Sequence, residues 1–178
     1  MNLFARRFQT TVLYRYDLTA HLVAPEESAE VIIRKLDPRE VGDLAQVNKD
    51  VIVPIEISKF EAGLHCYVAE LDSRLAHYSW VQEFGKHVLD GTGRTRSIRK
   101  GHIWVHACFT AARARGRRIY PTVLRRILDD YSAQGFTTAW IYALESNIAS
   151  RKGISHAGFR VDSRLRSVSF REFTIPLP

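Results

Sequence analysis

Apolar and polar positions divide the chain into short strand-like runs and a few helical stretches. Phe8, Val12, Leu13, Tyr14, Tyr16, Leu22 and Val23 fall in aromatic and aliphatic runs within residues 2–24. These read as one or two strands, ended by Pro25, Glu26, Glu27 and Ser28. The β-branched run EVIIRKL predicts a strand over 30–36. Asp37 and Pro38 supply an N-cap and a proline at the first helical position, and Val41, Leu44, Ala45 and Val47 follow at helical spacing to about Asn48. A loop is expected around Pro54. The runs HCYVAE (65–70) and AHYSWV (76–81) flank turn residues at 71–75, which predicts an antiparallel hairpin. Residues 90–100 are polar, basic and glycine-bearing, as in a loop or a ragged strand end.

Residues 101–110 (GHIWVHACFT) predict the next strand, with His102, Trp104, His106 and Cys108 on one face and Ile103, Val105, Ala107 and Phe109 on the other. From 117 to 133 the period lengthens. Ile119, Val123, Leu124, Ile127, Leu128 and Tyr131 form an apolar stripe, opposite Arg125, Arg126, Asp129 and Asp130. Gly135 sits where a C-terminal cap belongs. An apolar strand over 137–144 (TTAWIYAL) completes a β-α-β unit, which implies a parallel pair. A short helix over 148–157 and strands at 159–161 and 167–175 close the chain, and no internal repeat interrupts it.

With 178 residues, 46% of them hydrophobic, one domain with a sizeable core is expected. The formal net charge is +7, and arginines crowd into 94–100, 113–126 and 151–171. That balance favours an anionic partner without choosing among nucleotides, coenzymes, nucleic acid and membrane surfaces. Cys66 and Cys108 are the only cysteines. No Cys/His spacing of the metal-site type accompanies them, so two reduced thiols and no metal are expected. No apolar run approaches the roughly 18 residues of a membrane span, and a cytoplasmic protein is the expectation.

The segment RARGRRIYPTVLRRILDDYSAQG (113–135) carries the most chemistry. A helix N-terminus already bears partial positive charge, so arginines clustered against it call for an anion such as a phosphate. Arg115, Arg118 and Tyr120 in this loop, followed by Asn147, Ser150, Gly158 and Phe159, fall at the spacings of a known pattern. Over residues 101–160, and more loosely over 30–100, the chain resembles the GNAT superfamily of acyl-coenzyme A dependent N-acyltransferases. The resemblance implies an α/β (α+β) fold, with a mixed, mostly antiparallel sheet flanked by helices and a central coenzyme-binding β-α-β unit. It implies one domain over 30–178, with residues 1–29 as an N-terminal extension packed on it. It also implies acetyl transfer from acetyl-CoA to a primary amine of a small molecule or peptide, by direct attack in a ternary complex.

The coenzyme would be held by Phe109, Thr110, Arg115, Gly116, Arg117, Arg118, Ile119, Tyr120, Asn147 and Ser150, where the strand ending at Thr110 splays from its neighbour near Ala143. Arg118 and Tyr120 depart from the pattern, which has small residues there, and Ile154 replaces the tyrosine that protonates the thiolate in many members. His106 matches a histidine of members that act on arylalkylamines and is the first candidate base; Glu145 is the second. The acceptor would lie among residues 38–60, the hairpin around Asp72 and the C-terminal strands. Two other readings fit the same residues: a longer acyl donor, or a noncatalytic module binding coenzyme A or nucleic acid. The mixed charge on the exposed face of the 117–133 helix disfavours nucleic acid. The strand at 167–175 offers an edge for a homodimer.

Overall fold

A computed structural model describes residues 7–19, 31–170 and 173–177. The expected strand residues Leu22 and Val23, the break at 25–28 and parts of the strands at 30–36 and 167–175 lie outside them. The strands are β1 (Arg7–Asp17), β2 (Val31–Lys35), β3 (His65–Leu71), β4 (Arg74–Gln82), β5 (Lys86–Leu89), β6 (Arg94–Ser97), β7 (His102–Thr110), β8 (Thr138–Leu144), β9 (Arg160–Phe170) and β10 (Phe173–Pro176). The helices are α1 (Val53–Glu61), α2 (Ile119–Ala133) and α3 (Ile148–His156), with 3-10 helices at Pro38–Gln46 and Ala112–Ala114. Eight strands form one sheet in the order β10-β9-β1-β8-β7-β4-β3-β2, and β5 and β6 make a separate hairpin. The β7–β8 pair is parallel; the other pairings are antiparallel. This is the mixed, mostly antiparallel sheet flanked by helices that the sequence implies.

The apolar stripe of α2 seals one face of the sheet. Ile119, Val123, Leu124, Ile127 and Leu128 pack with Val12, Val81, Ile103, Val105 and Ile141, and α3 adds Ile154. The other face is covered by the first 3-10 helix and α1 near Trp80, and by the hairpin, through Leu89, near Trp104. Residues 7–17, expected as part of an extension, form a strand inside the sheet, bonded to β8 and β9.

Several local expectations are corrected. The stretch after Asp37 has the expected cap, a capping box with Glu40, but winds as a 3-10 helix. Its buried residues Val41, Leu44 and Val47 recur every third position, which suits three residues per turn. The segment around Pro54 is helix α1, because a proline in the first turn lacks only an N–H that would be unpaired anyway. Residues 90–100 contain β6, which pairs with β5 around a glycine-bearing turn. The C-terminal pair is one long strand, β9, followed by β10. Helix α2 starts at Ile119, two residues later than expected, because Arg118 takes a left-handed conformation, φ 56°.

Two buried histidines and one half-buried one, His106, pack against this sheet. His77 is fully enclosed, its ring nitrogens 2.7 Å from Thr110 Oγ1 and 2.8 Å from Ser79 Oγ. His87 stacks on Trp104 at 4.8 Å, and the His106 ring meets His87 edge-on at 4.8 Å. Burial disfavours the imidazolium and lowers the three to about 3, 4 and 3 respectively. Below about pH 6.5 the unfolded chain therefore takes up protons that the native state refuses. Stability is full above that pH and falls as pH drops toward 4, by about 1.4 kcal/mol per pH unit for each histidine. Urea unfolding followed across pH 7 to 4 tests this; a flat free energy between pH 6.5 and 5 would contradict it.

Candidate active site

Strands β7 and β8 share only three residue pairs, from His102 with Thr138 to Trp104 with Trp140. Beyond that point β7 stays bonded to β4 as far as Thr110, and β8 stays bonded to β1 as far as Leu144. The two strands part, and the facing edges of residues 105–110 and 141–144 have no strand partner in one another. Ala107 and Cys108 together face the single residue Ser79, so β7 carries a bulge with Ala107 at φ 47°. The extra residue resets the alternation. His106 joins Trp104 on the hairpin face, and Cys108 turns to the α2 face, packing on the α2 core beside Tyr120. The expectation that both share a face is corrected by this bulge.

A cavity of about 530 Å³ opens on the α2 face where the strands part. Phe109, Thr110, Arg115, Gly116, Arg118, Ile119, Tyr120, Asn147 and Ser150 line it. Arg117, also expected there, is exposed and stands outside the lining. At the start of α2, Gly116 (φ 80°) and Arg118 (φ 56°) turn the chain so that successive N–H groups point outward. Among the described residues, no protein acceptor takes the N–H groups of Gly116, Arg117, Arg118, Ile119 or Tyr120. The Arg118 carbonyl accepts from Thr122, and Pro121 has no N–H to offer. Arg115 folds back, donating to the Thr110 carbonyl at 3.2 Å with its guanidinium over the Phe109 ring.

Asn147 caps α3, its Oδ1 accepting from the Ser150 N–H at 3.1 Å, and the residue lines the cavity. The ring of Tyr120 lies against Gly153, where any side chain would collide with it. The large residue in the loop is thus matched by a missing one on α3. The Tyr120 hydroxyl sits beside Ser150 and the Cys108 thiol, and burial raises it well above its ordinary pKa. Burial likewise pushes the Cys108 thiol up to about 11.

Sequence reasoning missed His77, Cys108, Lys152, Gly153 and His156, which also line the cavity. Lys152 and His156 stand four apart on α3, on the face that follows the Asn147 cap, and that spacing was a readable signal. His77 carried none, because its role depends on the register of β4 against β7.

The two candidate bases lie outside this cavity. His106 faces the opposite side of the sheet, where its buried Nε2 has no partner among the described residues. Burial, then His87, then Lys59 depress its pKa. Lys59 is held by Glu56 on α1, at 2.8 Å, and lies over the Trp80 ring. Glu145, past the end of β8, pairs with Arg164 at 3.1 Å and lines a separate hollow. Among the described residues no group of His, Cys, Asp and Glu is arranged to hold a metal, and no helix is long and apolar enough to cross a membrane.

No family model and no curated protein sequence matches the chain. Solved structures do. A GNAT-family protein of Novosphingobium aromaticivorans superposes with a TM-score of 0.62 at 14% identity, over 94% of this chain and 66% of that one. An acetyltransferase of the GNAT family from Colwellia psychrerythraea gives 0.61 at 15% identity, over 90% and 56%. The chain thus spans less than two thirds of the length of either. The yncA protein of Salmonella typhimurium, solved with its cofactor acetyl-CoA, gives 0.58 at 16% identity, over 75% of this chain and 82% of that one. By these superpositions the chain has the fold of GNAT-family acetyltransferase structures.

Proposed function

We propose that the chain is an N-acyltransferase that moves an acetyl group from acetyl-CoA to a primary amine by direct attack while both are bound. One observation carries this reading: the array of unpartnered N–H groups from Gly116 to Tyr120 opens onto a cavity that leads into the gap between β7 and β8. Such an array binds pyrophosphate oxygens, and unpaired strand edges bind amides, which are the two ends of a coenzyme A molecule. Nothing fills the space beside Gly116, so a ligand can approach its backbone closely. Bound acetyl-CoA would supply the activated acyl group.

In this reading Arg118, Lys152 and His156 surround the phosphates, and Asn147 and Ser150 offer hydrogen bonds along the cavity wall. His106 accepts the amine's proton from the opposite face. Its depressed pKa keeps the ring neutral at ordinary pH, and burial beside Lys59 makes the imidazolium short-lived. Cys108 is the nucleophile nearest the coenzyme. Its raised pKa keeps it a thiol, which favours direct transfer over an acyl-cysteine intermediate.

Calorimetry with acetyl-CoA, longer acyl-CoAs and free coenzyme A should give saturable binding, weakened roughly tenfold or more by Arg118→Glu. Thiol release with a panel of amines should follow. Absence of coenzyme binding sinks the reading, and binding without turnover points to a noncatalytic module.

His106→Gln should lower kcat about 100-fold and leave acetyl-CoA affinity unchanged. Because His106 stays neutral from pH 8 down to about 4, the wild-type rate should show no inflection near pH 6.5 from this residue; a rate limb there that vanishes in the variant would contradict the assignment.

Cys108→Ala should retain kcat within a few-fold. Mass spectrometry of wild type incubated with acetyl-CoA alone should find no acetylated Cys108, and its accumulation would replace direct transfer with a two-step route.

A further inference from the structure

Strand β1 is longer than its neighbour. On one side β9 pairs with it from Arg7 to Arg15, but on the other β8 pairs only from Thr11 to Asp17. Where β8 stops, the chain turns away toward α3, and the Glu145 N–H makes a last bond to the Thr10 carbonyl at 2.8 Å. Successive residues of a strand point their N–H and C=O groups to alternate sides. The Thr10 carbonyl faces the β8 side, so Phe8 presents its N–H and C=O to that side too. Among the described residues neither group has a partner there.

This unpaired edge is not flat surface. It forms one wall of a hollow of about 550 Å³ bounded by Arg7, Phe8, Gln9, Thr10, Glu145 and Arg166, among others. The Phe8 side chain is 67% exposed there. Gln9 and Leu144 are also walls of a second hollow, of about 290 Å³, which reaches β8 at Tyr142 and Ala143. Tyr142 packs with Trp104, so this inner hollow meets the β7–β8 gap on the His106 face, opposite the coenzyme cavity. Thr11 lines it, and its buried hydroxyl has no partner among the described residues. Asp90 also lines it, its carboxylate 3.2 Å from the Tyr142 hydroxyl.

The two hollows differ in charge. The inner one offers acceptors, a carboxylate and hydroxyls, that suit an ammonium or amine. The outer one is lined by Arg7 and Arg166, with which no described carboxylate forms an ion pair, and by Glu145, whose charge is already paired with Arg164. Arg7 stands four residues from Thr11, about 13 Å along the strand. An α-amino acid, whose two charges share one carbon, is too short to use both ends. A strand edge with free N–H and C=O groups recognises one kind of ligand generally, an extended peptide backbone.

We propose that an extended acidic peptide adds to the edge of β1 at Phe8, in line with β8, with its acidic side chains on Arg7 and Arg166 and its N-terminal amine in the inner hollow. This rests on the acyltransfer reading for the fate of the amine, though not for the binding of the peptide.

The test uses the full chain and hexapeptides with a free N-terminus and a C-terminal fluorophore, carrying either glutamates or lysines at positions three to five. Anisotropy without coenzyme should show the acidic peptide binding at least tenfold more tightly. Arg7→Glu should abolish that preference. N-methylation of one backbone amide in the central segment should weaken binding tenfold with the side chains unchanged, a loss that simple charge attraction would not produce. Equal binding of the two peptides, no binding of either, or indifference to N-methylation each overturns the proposal. With acetyl-CoA added, acetylation of the acidic peptide's N-terminus supports both readings. Peptide binding without acetyl transfer to any amine keeps the docking site and removes the transferase reading. Equal kcat/KM for a small anionic amine and the peptide keeps the transferase and removes the peptide.

Discussion

Everything at the candidate site depends on how briefly β7 and β8 stay together. Each strand has a longer commitment elsewhere, β7 to β4 and β8 to β1, and a twisted sheet cannot keep all of these edges in register once a bulge intervenes. The bulge holds Ala107 at positive φ, which costs a residue with a Cβ about 1 kcal/mol or more. In exchange, His106 and Cys108 point to opposite faces of the sheet. One opening in one sheet thereby acquires two differently furnished approaches. On the α2 face lie backbone donors, cations and a thiol held protonated; on the other lie a neutral imidazole and a carboxylate. The parted edges also carry backbone groups that folding leaves without ladder partners, and such groups need water or a ligand.

The start of α2 shows a second compromise. Arginines beside a helix N-terminus oppose the helix dipole, and Arg118 in a left-handed conformation adds local strain. Neither is offset by a side-chain cap, since none forms there. An anion bound at that point would relieve both at once. Tyr120 is the third irregularity, a bulky residue where close backbone approach matters, and its ring is directed inward over Gly153 instead of toward the loop. The substitution leaves the N–H array open and fills the floor of the cavity with a hydroxyl.

Much of this was legible in the sequence, because the β-α-β unit is encoded locally: period two in 101–110, an apolar stripe over 119–131, Gly135 at the turn. The coenzyme loop was legible for the same reason, its residues being nearly contiguous. Helix α1 was not, because Pro54 reads as a breaker unless the helix start is already known. Strand β6 was hidden by its wholly polar sequence, RTRS, in which Thr95, Arg96 and Ser97 are exposed and no apolar alternation shows. Cys108 was assigned to the wrong face because a bulge changes the period without changing composition. Glu145 was chosen for its place at the C-terminal end of the strand after α2, yet the end of β8 carries it away from the cavity to Arg164. What failed to read was information held in pairing between distant strands.

The position of β1 is the largest case of that kind, and it bears on how the site is made. β8 is flanked by β7, which leaves it after three pairs, and by β1, which stays for seven. β1 satisfies the N–H and C=O groups on the outer edge of β8, whereas those facing the gap point the other way and gain nothing from it. The N-terminal strand anchors β8 from outside along the stretch where it leaves β7. Because β1 meets residues more than a hundred positions away, that arrangement is complete only when both ends of the chain have come together, a slow step for a sheet of this topology. The same strand overshoots the end of β8, and on that side Phe8 has no partner among the described residues, so the element that anchors β8 also leaves a free edge beside the cleft.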